Sequence, residues 1–136
     1  MRDWSFETPP DLLAFQDAAH EAFDALPENF RALCNNVVIH VADEADAKTL
    51  GALGLSDPLQ LSGLFEGVDR INDSVTTPFG MPNHVHLYRR SIIAEWRRRR
   101  DTSLRALITH VLVHELGHHF GFSDDDMHAI EAGAID

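Results

Sequence analysis

The chain has 136 residues, 44% of them hydrophobic, and a formal net charge of −11. That length suits one domain, residues 1–136, able to bury about two-thirds of its unfolded surface. No apolar run approaches the roughly 20 residues a bilayer span needs, and the acidic balance argues against general nucleic-acid binding, so neither a membrane nor a nucleic acid is an expected partner.

The N-terminus, MRDWSFETPPD, has an early acid and no apolar stretch, which is unlike a signal peptide. Thr8 before Pro9 reads as a helix cap and first helical position. Leu12, Phe15, Ala19, Ala22, Phe23 and Leu26 follow at helical spacing, which predicts an amphipathic helix over 9–26 that Pro27 ends, with His20 at its surface or boundary. Cys34 is the only cysteine, so no intrachain disulfide can form and a cytoplasmic location is expected. Residues 36–41 (NVVIHV) are rich in β-branched side chains and predict a buried strand, in which His40 reads as a core or sheet-face histidine.

A short helix over 44–50 and a turn region with Gly51, Gly54 and Pro58 come next. Residues 61–68 (LSGLFEGV) predict a second strand in which Gly63 and Gly67 leave the backbone bare, as a second backbone approaching closely or a bulge would require. A loop over 71–83, a third strand over 85–88 (VHLY) and a short helix over 92–98 complete the approach to a long helix that Asp101 or Thr102 caps. Residues 89–105 hold seven arginines against Glu95 and Asp101, a local charge of +5; the remaining 4 basic and 20 acidic residues carry −16. Arg97, Arg98, Arg99 and Arg100 form a candidate docking patch for an acidic partner or a nucleic acid, against the plainer reading of a solvated helix end paired with acidic neighbours.

The long helix carries the chemistry. His114-Glu115-Leu116-Gly117-His118 is an HExxH pattern. Four helical residues advance roughly 400°, so His114 and His118 leave one face a turn apart and can grip one Zn2+ ion, with Glu115 beside them as base for a metal-bound water. The apolar stripe of Leu107 and Val111 runs into that face. Gly121 can take a left-handed conformation and stop the helix, which lets the chain return and offer Asp124, ten residues beyond His114, as a third ligand. Asp125, Asp126 and His128 are alternatives for that position. His119 lies about 100° from His118 and cannot comfortably share its metal. His110 reads as a core residue or a support behind the ligands, and Met127 as core packing.

Residues 114–131 (HELGHHFGFSDDDMHAIE), together with 85–92 (VHLYRRSI), closely resemble the small bacterial zincin-like metallopeptidases sometimes called minimal zincins. The resemblance implies an α+β fold: a minimal zincin-like domain with a small three-stranded mixed sheet packed on helices that include the HExxH helix. It implies His114 and His118 as zinc ligands and Glu115 as catalytic base, in a zinc-dependent hydrolase of peptide or protein substrates. By analogy with zincins, a substrate peptide pairs antiparallel with the edge strand, here 61–68. The rival reading is a latent or non-catalytic zinc-binding regulatory protein on the same fold, although a purely structural site has no need of Glu115.

Overall fold

The structure, a computed structural model, describes residues 4–34, 36–67 and 83–134. Helix α1 spans Leu12–Asp24, shorter than the periodicity predicts. Asp11 rather than Thr8 caps it, accepting the Ala14 N–H at 2.9 Å, while the Thr8 hydroxyl bonds Ser5. Pro27 stands at the head of a further helix, α2 (Glu28–Leu33), which no pattern above anticipates. Strand β1 (Val37–Ala42) and helix α3 (Ala47–Ala52) follow, the latter capped by Asp46 on the Thr49 N–H at 2.7 Å.

A 3-10 turn at Pro58–Gln60 leads to strand β2, Gly63–Glu66. Strand β3 (Asn83–Tyr88) then runs straight into helix α4, Arg89–Arg99. Ser103, not Asp101 or Thr102, caps helix α5 (Leu104–Phe120) through the Ala106 N–H at 3.0 Å, and helix α6 spans Asp124–Ala134. Val68 and nearly all of the expected 71–83 loop lie outside the described residues.

The three strands form one mixed sheet in the order β1-β3-β2, with β3 parallel to β1 and antiparallel to β2. This is the α+β architecture that the resemblance implies. Alternation sends Val85 and Leu87 to the buried face of β3 and His84 and His86 to the other.

Helix α5 is the middle of the core. The expected stripe of Leu107 and Val111 is only part of its apolar surface: Leu104, Ile108, Leu112, Val113 and Leu116 are buried as well. A helix apolar around most of its circumference must be enclosed, and α1, α4, α6, β2 and β3 all pack on this one.

The arginine run at the end of α4 is exposed, and three of its four members have partners among the described residues. Arg97 donates to the Phe6 carbonyl at 3.0 Å, Arg100 lies over the Phe6 ring, and Arg99 pairs with Glu95 and Asp101. The Arg97 and Arg100 contacts strap the N-terminal segment onto α4.

Cys34 is 2% exposed, and desolvation pushes its thiol pKa up to about 12. The thiolate is the reactive form, so iodoacetamide at mildly alkaline pH should leave the native protein unmodified and label one site after unfolding in guanidinium. Mass spectrometry reads both states; rapid labelling of the native protein would contradict the burial.

Candidate active site

Three histidines repeat every fourth residue along one face of α5. The His110 and His114 ring centroids are 4.5 Å apart, and His114 and His118 are 5.1 Å apart with their rings edge-on. Desolvation, then the neighbouring His110 and His118, lower the His114 pKa, partly offset by Glu131 and Asp124. The neutral imidazole that results is the form a metal binds.

Glu115 is turned away from that row, toward β2. Burial raises its carboxyl pKa, and nearby His118 and a hydrogen bond from the Phe65 N–H pull it back in part. That amide points off the β2 edge of the sheet, away from β3. Tyr88 N–H donates to the Ser62 carbonyl, so alternate β2 residues bond β3, whereas Gly63 and Phe65 direct their backbone groups outward.

Gly63 also serves the packing of α5. It is buried, and a Cβ there would lie 3.0 Å from both Glu115 Cγ and Val111 Cγ1. The missing side chain lets α5 and its glutamate approach β2, and the regular pairing with β3 leaves no bulge at this position.

The chain turns back after α5 as its glycine foretells. Gly121 has φ 76°, and the Phe122 N–H bonds the Gly117 carbonyl at 2.9 Å. Ser123 and Asp126 then form a reciprocal capping box: the Asp126 N–H donates to the Ser123 hydroxyl at 3.1 Å, and the Ser123 N–H to the Asp126 carboxylate at 3.2 Å. The acid cluster therefore opens a helix. Asp126 is committed to the cap, Asp125 and His128 are exposed, and Met127 is core, packed against Gly117 as expected.

Asp124 is exposed at the start of α6, within electrostatic reach of His114. The return of α6 also brings in a carboxylate that spacing alone does not suggest: Glu131 accepts from His110 Nδ1 at 2.8 Å. The serine and aspartate three apart signalled this helix in the sequence. His119 stacks on Phe65 with centroids 4.1 Å apart, well placed to brace the β2 contact.

Two imidazoles with nearby carboxylates are a donor set that suits zinc. Among the described residues, no three His, Cys, Asp or Glu side chains already close around one point. The chemistry of the donors fits, with Asp124 and Glu131 as the carboxylates at hand.

A model of the zincin-like metallopeptidase family matches residues 34–134. No curated protein matches the sequence. The match takes in β1 through α6, and with them the histidine row, the sheet and the returning helix.

The fit at Gly63 has a measurable consequence. Gly63→Ala should lower stability by about 1–3 kcal/mol, the usual cost of overpacking, and shift Glu115. Denaturant unfolding would detect the loss, and an unchanged midpoint would mean that the contact between α5 and β2 is slack.

Proposed function

The chain belongs to the zincin-like metallopeptidases, and from that premise we propose that it is a zinc-dependent peptidase in which His114 and His118 hold the metal and Glu115 is the general base. The observation that carries the reading is the division of labour on α5: two histidines one turn apart on one face, with the intervening glutamate aimed at a sheet edge. Asp124 is the proposed third ligand, and Glu131 is the rival that α6 brings close.

When bound, zinc supplies a Lewis acid that acidifies a coordinated water and polarises a carbonyl. The protein's own groups do the rest. His114 enters as a neutral donor because burial and its histidine neighbours disfavour its charged form. Glu115 takes the proton of the attacking water and passes it to the departing amine, and a carboxyl pKa raised by burial suits a base working near neutrality. An extended peptide has a place to lie along the outward backbone groups of Gly63 and Phe65, where main-chain hydrogen bonds supply affinity with little sequence preference.

One contact favours a latent variant of this reading. The Glu115 carboxylate occupies the Phe65 N–H, one of the groups an added peptide strand would use. The enzyme is then quiescent until substrate or a partner displaces that bond. A cytoplasmic location accords with the lone buried Cys34, and no helix among the described residues is long and apolar enough to cross a membrane.

Glu115→Gln should keep zinc and fold while lowering peptide hydrolysis by about a hundredfold or more, the usual scale of general-base catalysis. Elemental analysis and a peptide-cleavage assay test it together, and a variant as active as the parent would remove Glu115 from the role. Zinc titration of Asp124→Ala, Glu131→Ala and His128→Ala should show the largest loss for Asp124→Ala. If Glu131→Ala alone abolishes binding, the third ligand comes from the later turn of α6.

A further inference from the structure

A second group of metal-binding side chains lies on the other face of the sheet from α5. His40 sits opposite His86 in the parallel pair, and Glu66 opposite His84 in the antiparallel pair. Alternation puts all four on one face, while Val85, Leu87 and Gly63 face the helices. Three adjacent strands thus contribute three imidazoles and a carboxylate. We propose that His40, His84, His86 and Glu66 form a second site, for a divalent transition-metal ion such as zinc.

The distances support this in detail. His40 Nε2 and His84 Nδ1 are 2.9 Å apart. Zinc–nitrogen bonds of about 2.0–2.1 Å in a tetrahedral shell place two ligand nitrogens about 3.3 Å apart, so this pair admits an ion after moving a few tenths of an ångström. The His86 ring stacks on His40 with centroids 4.8 Å apart. His86 Nε2 is shielded from water and makes no hydrogen bond among the described residues, although a Glu66 oxygen lies 2.5 Å from it. A buried ring nitrogen pressed against a misaligned carboxylate oxygen is a donor pair that a shared cation would satisfy.

The surroundings agree. Desolvation, then His86 and His84, lower the His40 pKa, with Glu66 opposing, so that His40 favours its neutral, ligating form. Asp46, which caps α3, is also within electrostatic reach of His86. Among the described residues no three such side chains already meet at one point. Here His84 turns to His40 while His86 turns to Glu66, so an ion at this site would draw the two pairs together by side-chain rotation on backbone positions that the strand register sets. A ligand set rich in imidazole selects zinc, copper or nickel over magnesium or calcium. Bound there, the ion would tie edge strand β2 to β1 across β3.

The test is a zinc titration of the full chain, followed by calorimetry and thermal melting. The parent should bind two equivalents, and His114→Ala with His118→Ala should retain one. Adding His40→Gln and His84→Gln to that variant should abolish the remaining equivalent and the rise in Tm that zinc gives it. In the otherwise unchanged chain, His40→Gln with His84→Gln should keep one equivalent and the parent's peptide cleavage. Glu66→Gln, an exposed and conservative change, should weaken the second site at least tenfold and provides a check if the histidine variants unfold. The proposal is overturned if His114→Ala with His118→Ala binds no zinc, or if its remaining equivalent survives His40→Gln with His84→Gln. Failure of the α5 site would look different, because the parent would then lose all its zinc with His40 and His84 alone.

Discussion

Enclosure of α5 is the constraint from which the rest of the molecule follows. Leu104, Leu107, Ile108, Leu112, Val113 and Leu116 are essentially inaccessible to water, and each large side chain of this kind contributes about 1.5–3 kcal/mol when buried. To satisfy them, the sheet, α1, α4 and α6 must surround one helix, which leaves the strip bearing His110, His114 and His118 as the polar side of a buried rod. Polar groups at the rim of such a core are held by neighbours rather than by water. This explains why Glu131 reaches His110 and why Phe65 stacks on His119.

Two absent side chains set how closely that surround can pack. Gly63 admits Glu115 and Val111, and Gly117 admits Met127. Both are steric requirements imposed by partners distant in the chain, which is why local sequence patterns misjudge them. Gly63 reads as bare backbone in a strand, whereas its meaning lies in a helix some fifty residues later. Gly121 is different: its left-handed φ of 76° is a local demand, and it is legible from its place after the last turn of α5.

The same distinction governs what else the sequence discloses. One-turn spacing places His114 and His118 on a common face without help from tertiary structure, and the β-branched run at 36–41 and the VHLY stretch locate β1 and β3 to within two residues. Helix starts are harder, because several capping residues compete: Asp11 takes the place of Thr8, and Ser103 that of Asp101 or Thr102. The acid run after Gly121 draws the eye as a ligand loop, yet Ser123 and Asp126 use it to begin α6. Only that helix brings Glu131 back to the histidine row, so the carboxylate was invisible until the fold was known. The sheet-face cluster was likewise hidden, since His40, Glu66 and the β3 histidines become neighbours only through strand register.

Under the proposed function, the bond between Glu115 and Phe65 joins substrate binding to catalysis. A hydrogen bond to a charged group is worth about 1.5–3 kcal/mol and one between neutral groups about 0.5–1.5, so a peptide carbonyl replacing the carboxylate at the Phe65 N–H loses on that exchange alone. It must recover the difference from further contacts along β2, which favours an extended segment over a short one.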